Sequence, residues 1–162
     1  MVKYYIKQKV FSLKEQFTVK NEDEQDAYYV EGKLFTLGSK LHIYNTNNEE
    51  ILYIEQKIWR FLPEFDIYQQ GELVATIKKE FRFFKNDYSI NGPDWDIEGS
   101  VMAHDYVIRE REKVVADISK KWLSWGDSYA IDIQDNSQKE LLLRAVIVID
   151  CVISASRKQG SS

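Results

Sequence analysis

The side chains able to perform nucleophilic, acid–base or metal chemistry are few and far apart in this sequence. It contains two histidines, His42 and His104, and a single cysteine, Cys151. A structural zinc site needs four ligands, mostly Cys and His at short spacings, and this set cannot supply them. Cys151 lies inside an apolar run, where a small buried hydrophobe is expected instead of a nucleophile. We therefore expect no metal, no cofactor, no catalytic residue and no enzymatic activity.

The histidines and glycines also lack the surroundings of known motifs. His42 lies between two apolar residues of a predicted strand, so its side chain should point to solvent. Asp105 follows His104 directly, but no Ser or Cys nucleophile lies in a catalytic signature. The seven glycines do not have the spacing of a dinucleotide-binding or Walker A loop. These absences favour a binding or structural role.

Basic and aromatic residues occur together in three segments. Trp59 and Phe61 lie in the first, several phenylalanines in the second and two tryptophans in the third. The basic residues of these segments are Lys57, Arg60, Lys78, Lys79, Arg82, Lys85, Lys120 and Lys121. If the segments meet at one end of the fold, they would form a surface that attracts anionic lipid headgroups. The alternative is that the aromatic side chains fill the end of the fold and the lysines form a solvated rim.

Length and composition indicate one globular domain in a reducing compartment. The 162 residues suffice for a large core, and we place the domain at residues 1–156, followed by a disordered tail at 157–162. A single cysteine excludes a disulfide within the chain. The N-terminus has no apolar segment typical of a signal peptide, and a net charge of −4 argues against general nucleic-acid binding. We expect a cytoplasmic monomer, peripheral to the membrane if it binds lipid.

An apolar pattern that repeats along the chain predicts the strands. An aliphatic residue is followed at +4 and +11 by apolar or aromatic residues and at +13 by Ile, in copies that start at Val30, Ile54, Ile77 and Ile118. A shortened copy starts at Ile97. Polar, turn-forming segments of hairpin length follow the copies. The predicted strands are 3–9, 16–20, 28–32, 40–45, 51–56, 65–69, 73–79, 87–91, 95–100, 105–110, 113–119 and 128–133.

The segment 137–154 predicts a C-terminal helix that is apolar on all sides. Ser137 and Glu140 have the spacing of a capping box, although the β-branched run 146–149 would also suit a buried strand. The apolar run ends at 155, so it is shorter than the roughly 20 residues of a membrane-spanning helix. Arg144 and Asp150 add a further cost in a bilayer. Such a helix must be surrounded by protein.

These elements together predict a mainly β fold. About twelve antiparallel strands joined by short connections favour a closed barrel, because closure removes the unpaired edges. A barrel of that size is wide enough to hold the apolar C-terminal helix. Arg144 would then lie near the mouth, with Asp150 bonded to strand backbone or to a tyrosine. The alternative is that these two charges belong to a ligand site inside the barrel.

Three stretches of sequence resemble the LURP-one-related family. They are GKLFTLGSKLHI at 32–43, IEQKIWRFLPEFDIY at 54–68 and LLLRAVIVIDCVIS at 141–154. The resemblance covers nearly the whole chain and implies a tubby C-terminal-like fold, shared with tubby proteins and phospholipid scramblases. The role of the family itself is largely undefined, and a shared fold does not fix function.

The resemblance and the basic segments lead to one functional hypothesis and two alternatives. The hypothesis is a non-enzymatic domain that binds anionic phospholipid headgroups or a membrane-proximal partner. One alternative is a protein-interaction or structural domain without a lipid ligand, which the acidic overall charge favours. The other is a scramblase-like lipid-moving protein, which would require Arg144 and Asp150 to enter the bilayer.

Overall fold

The computed structural model describes residues 1–7, 14–33, 38–82, 85–91, 94–123 and 126–160, and side chains within 1–6, 16–32, 38–78, 94–121 and 128–150. All twelve predicted strands are present, with ends that differ by up to four residues, and residues 8 and 9 of the first predicted strand lie outside the described residues. They are β1 Val2–Lys7, β2 Lys14–Asn21, β3 Asp26–Lys33, β4 Lys40–Asn45, β5 Glu50–Gln56, β6 Glu64–Gln69, β7 Glu72–Arg82, β8 Lys85–Asn91, β9 Trp95–Ser100, β10 Asp105–Glu110, β11 Lys113–Leu123 and β12 Gly126–Ile133. Two 3-10 helices, Val101–Ala103 and Asn136–Gln138, precede β10 and the C-terminal helix α1, Lys139–Gly160.

The strands form one antiparallel 12-stranded sheet, hydrogen-bonded in the order β8-β7-β6-β5-β4-β3-β2-β1-β12-β11-β10-β9. Strands β8 and β9 are therefore its two edges. Within the described parts of the chain, no ladder joins these two strands. The mainly β class and the antiparallel meander are confirmed, but the sheet is not closed by hydrogen bonds, so the predicted closed barrel is not confirmed.

The sequence repeat corresponds to a repeated pair of facing residues on neighbouring strands. The first and last positions of a copy lie directly opposite each other in the ladder, as Val30 does to Ile43 and Ile54 to Ile67. The same holds for the three remaining pairs, Ile77 with Ile90, Ile97 with Ile108 and Ile118 with Ile131. Residues opposite each other lie on one face of the sheet, so each copy of the repeat places an aliphatic pair on one face of two consecutive strands.

The inner face of the sheet packs against α1. Side chains from most strands are fully buried there, among them Ile43, Ile54, Phe65, Ile108 and Ile131. On the helix, the buried side chains are Leu142, Leu143, Val146, Ile147, Val148 and Ile149. Sheet and helix side chains belong to a single hydrophobic cluster. The prediction that an apolar C-terminal helix supplies the core is thus confirmed for 142–149, whereas the side chain of Cys151 lies outside the described residues.

The start and the end of α1 differ from the prediction. Asp135, not Ser137, caps the turn that leads into the helix, because its carboxylate accepts hydrogen bonds from the Ser137 N–H and hydroxyl at 3.0 and 2.5 Å. The carboxylate of Glu140 accepts a hydrogen bond from the Tyr28 hydroxyl and does not close a capping box. The helix continues past Ser154 to Gly160, so residues 157–160 of the expected tail are helical.

The strict alternation of strand direction gives the sheet two different ends. The hairpin end carries the turns that follow the even-numbered strands up to β10, and β12 also finishes there and leads into α1. The connection end carries the segments between β1 and β2, β3 and β4, β5 and β6, β7 and β8, β9 and β10, and β11 and β12. Helix α1 therefore starts at the hairpin end and runs towards the connection end. No helix within the described ranges has both the length and the apolar character needed to cross a bilayer.

Replacing Ile147 with alanine tests whether α1 is the core of the fold. The Ile147 side chain is fully buried, so its truncation should lower the free energy of unfolding by about 2–5 kcal/mol. Leu141, which is 47% exposed on the same helix, is the matched control. Its replacement with alanine should cost about 1 kcal/mol or less. Urea unfolding followed by circular dichroism measures both; equal losses in the two variants would contradict a buried helix.

Candidate anion and membrane interface

The segment between β5 and β6, residues 57–63, is a loop with a closed base at the connection end. The Lys57 N–H donates to the Glu64 carbonyl at 2.8 Å, and the Gln56 N–H donates to the Ser39 carbonyl at 2.9 Å. Trp59 has a positive φ of 63°, a conformation that is uncommon for an aromatic residue. The loop therefore projects from a fixed base. We call residues 57–63 the aromatic loop.

Large apolar side chains of the aromatic loop face solvent. Trp59 is 87% exposed, Phe61 is 99% exposed and Ile58 is also exposed. Single exposed apolar residues are common on protein surfaces, but adjacent ones often mark a site of interaction with protein or membrane. The sequence alternative, in which the aromatic side chains fill the end of the fold, is wrong for Trp59 and Phe61.

Carboxylates partly neutralise the cations at the base of the aromatic loop. The Lys57 Nζ lies 2.6 Å from Glu64 Oε1 and 3.3 Å from Asp66 Oδ1. The Arg60 Nε lies 3.6 Å from Glu64 Oε2. The hydrogen bond between Lys57 and Glu64 raises the pKa of Lys57 and lowers the pKa of Glu64. Lys57 is thus mainly a structural cation, and Arg60 is more accessible to a ligand.

Lys78 extends this cationic area onto the neighbouring strand. It lies opposite Glu64 in the ladder between β6 and β7, and it is exposed. Its charge further lowers the pKa of Glu64, after the larger effects of Lys57. Three cations, Lys57, Arg60 and Lys78, therefore surround the two carboxylates of Glu64 and Asp66. The group carries a small positive excess, unlike the protein as a whole.

The remaining predicted basic residues divide into two sets. Lys79, Arg82 and Lys85 lie on the backbone of β7 and β8 next to the aromatic loop, but their side chains lie outside the described residues. Lys120 and Lys121 are exposed on β11. In the strand order, β4 to β1 and β12 lie between β5 and β11. The strand order does bring the three segments to one end, but it separates Lys120 and Lys121 from the aromatic loop.

A second polar contact at the connection end ties α1 to the sheet. The His104 Nε2 and Asp150 Oδ1 atoms are 3.0 Å apart. His104 is 3% exposed and its ring stacks on Tyr129, with centroids 4.3 Å apart. Burial, and then the nearby charge of Asp150, raises the pKa of Tyr106 well above its usual range. The prediction that Asp150 bonds strand backbone or a tyrosine is therefore wrong, because its partner is a histidine.

The other histidine lies on the outer face of the sheet, as its position between two inward-facing residues predicts. The His42 Nδ1 lies 2.6 Å from Glu50 Oε2, and its ring packs beside Tyr44 and Tyr53. This cluster was not predicted from the sequence. One tyrosine on an outward position of each strand, Tyr44 on β4 and Tyr53 on β5, was the available signal.

The comparisons with known proteins agree with this fold. The sequence model of the LURP-one-related family matches residues 2–150, and the chain belongs to that family. An uncharacterized protein from Bacillus subtilis (strain 168), YxjI, is 35% identical over 153 residues, which are 94% of this chain and 94% of that protein. An X-ray structure of a protein from Arabidopsis thaliana superposes with a TM-score of 0.66 at 15% identity, covering 93% of this chain and 90% of the other. The identity with the Arabidopsis protein is low, so that likeness concerns the fold alone.

The ion pair at the base of the aromatic loop predicts a pH dependence of stability. Because the folded-state pKa of Glu64 is lowered, its contribution is present above the unfolded pKa and is lost as the pH falls through the folded pKa. The wild-type free energy of unfolding should therefore fall more than that of Glu64→Gln between about pH 6 and about pH 3.

Glu72→Gln is the matched control for this measurement, because it removes an exposed carboxylate from β7, away from the ion pair. Urea unfolding at a series of pH values compares the three proteins. If Glu64→Gln showed the same pH dependence as the wild type, the ion pair would not contribute to stability.

Proposed function

We propose that this protein is a non-enzymatic domain that binds anionic phospholipid headgroups and contacts the bilayer with the aromatic loop. The observation that carries the proposal is the near-complete exposure of Trp59 and Phe61 beside Arg60 and Lys78. Tryptophan favours the membrane interface, where its ring is partly apolar and partly hydrated. Cationic side chains next to such a ring would add attraction to anionic lipids.

The magnitudes fit a reversible surface contact. Each Lys or Arg near an anionic membrane contributes about 1 kcal/mol, and burying a large aromatic side chain contributes about 1.5–3 kcal/mol. Arg60 and Lys78 with Trp59 and Phe61 would therefore suffice for weak binding without any membrane-spanning segment. The ion pair between Lys57 and Glu64 would keep the base of the loop in place.

The position of α1 adds a second contribution to the same end. After Asp150 meets His104 at the connection end, the helix continues through 151–160. That segment carries Arg157 and Lys158. Because the helix backbone continues past Asp150, this segment would bring two further basic residues to the end of the sheet that carries the aromatic loop.

We further propose that the sheet forms a closed, tubby-like barrel. Strands β8 and β9 are the edges of the sheet, and they are consecutive in the chain with only residues 92–94 between them. A short link of this kind keeps two antiparallel strands close, because hairpin loops commonly have 2–5 residues. Side-chain packing on α1 would complete the barrel where the ladder does not.

Vesicle co-sedimentation with Trp59→Ser/Phe61→Ser tests the function. Wild-type protein should bind vesicles that contain phosphatidylserine more tightly than vesicles of phosphatidylcholine alone, and less tightly at high salt. The double variant should lose about 100-fold or more in affinity, because its two aromatic side chains together contribute about 3–6 kcal/mol. Leu73→Ser, which removes an exposed apolar residue at the hairpin end, is the matched control and should bind like the wild type.

Two results would contradict the proposal. The first is no binding of the wild type to anionic vesicles even at low salt. The second is equal binding by wild type and Trp59→Ser/Phe61→Ser. A protein partner captured through the same loop in the absence of lipid would favour the protein-interaction alternative instead.

A further inference from the structure

A small, partly open cavity lies between α1 and the inner face of the sheet. Its volume is about 70 Å³, and β5, β6, β7 and β9 contribute to its walls together with the helix. The walls are largely aliphatic, with Leu52, Ile67, Ala75, Ile77, Ala145 and Val148 among them. Arg144 and Trp95 also line it. Because α1 starts at the hairpin end and Leu141 borders the cavity, the cavity is distant from the aromatic loop.

Two residues that line this cavity each have a buried hydrogen-bond donor without an acceptor in the described part of the structure. The donors are the indole N–H of Trp95 and the Nε–H of Arg144, both buried. Trp95 as a whole is only 6% exposed. A buried donor without a partner costs about 1–3 kcal/mol, so two such donors on one cavity are an unusual arrangement. Both require an acceptor.

Arg144 also has no ion-pair partner in the described part of the structure. Glu140, one helical turn earlier, accepts a hydrogen bond from Tyr28 instead. Asp150, further along the helix, is paired with His104. A partly buried cation without a counter-ion is costly, which favours an anion as the acceptor.

The cavity opens on the side where apolar residues reach the surface. Leu141 is 47% exposed and Val74 is 43% exposed, although both contribute to the cavity wall. An alkyl chain could therefore leave the cavity over these two side chains. A free inorganic anion has no apolar group that would pack against such a rim.

From these observations we infer that the cavity binds an aliphatic carboxylate. Its carboxylate accepts hydrogen bonds from Arg144 and Trp95, and its alkyl chain lies against the aliphatic wall and passes Leu141 and Val74. A site for one water molecule needs about 10–15 Å³, so the cavity holds a carboxylate and the first few carbons, with the rest of the chain at the rim. This ligand site is separate from the proposed membrane contact and does not depend on it.

Titration calorimetry with hexanoate and with 1-hexanol tests the assignment. Wild-type protein should bind hexanoate at least tenfold more tightly than 1-hexanol, because a charged hydrogen bond contributes more than a neutral one. Arg144→Gln should lose at least tenfold in hexanoate affinity and should leave the affinity for 1-hexanol unchanged. Arg109→Gln, which removes an exposed arginine on β10 that is paired with Glu98, is the matched control and should bind hexanoate like the wild type.

Thermal unfolding without ligand checks that each variant is folded. Equal affinities of the wild type for hexanoate and 1-hexanol would overturn the inference, as would no binding of hexanoate. Unchanged hexanoate binding by Arg144→Gln would also overturn it. If Arg144→Gln does not fold, the comparison of hexanoate with 1-hexanol on the wild-type protein still tests the inference.

Discussion

The burial of the apolar face of α1 against the inner face of the sheet is the interaction on which the rest of the structure depends. An isolated hairpin is at best marginally stable in water, and an apolar helix of this kind is insoluble without a partner. Each therefore supplies the surface that the other needs. Among the described side chains, the facing aliphatic residues of the repeat form an apolar wall, and Val146 to Ile149 belong to the same hydrophobic cluster. Most strands reach the core through this wall.

Two polar contacts fix where the helix sits along that wall. At the hairpin end, Glu140 accepts a hydrogen bond from Tyr28. At the connection end, Asp150 meets His104. Apolar packing alone would tolerate a shift or rotation of the helix, but moving either carboxylate would leave a buried polar group without its partner. The two contacts therefore define the position and direction of α1 more than they add stability.

Much of the fold could be predicted from the sequence because its strongest signal is local and periodic. The +13 spacing in the repeat joins residues that face each other on two consecutive strands, and the positions of the strands followed from this pattern. The helix followed from a run of apolar residues too long for a strand. The polar partners did not follow, since the contacts between His104 and Asp150 and between Tyr28 and Glu140 join residues far apart in the chain. The strand pattern predicted a closed sheet, but no ladder joins β8 and β9 within the described residues.

The candidate sites, like the fold, could be predicted from the sequence only in part. The basic and aromatic composition of 57–61 was visible in the sequence, and the structure adds that Trp59 and Phe61 face solvent. The sequence indicated Lys57 and Arg60 as cations of an anion-binding surface, but not that Glu64 on the next strand pairs with both and Asp66 with Lys57. The cavity beside Arg144 and Trp95 was not predictable, because its walls come from separate strands and the helix.

A buried helix also sets limits on function. The proposed binding at the aromatic loop and at the cavity would leave α1 in place and would need no rearrangement of the fold. A lipid-moving role would require the helix to leave the sheet, which would expose the core and separate Asp150 from His104.

Native-state hydrogen exchange of the amides at 142–149 tests this account most directly. If α1 is the core, these amides exchange only through global unfolding, with the same free energy as the central amides of β4, β5 and β12. Exchange of the helix amides at a much lower free energy than those strand amides would contradict it, because the sheet would then be stable without the helix.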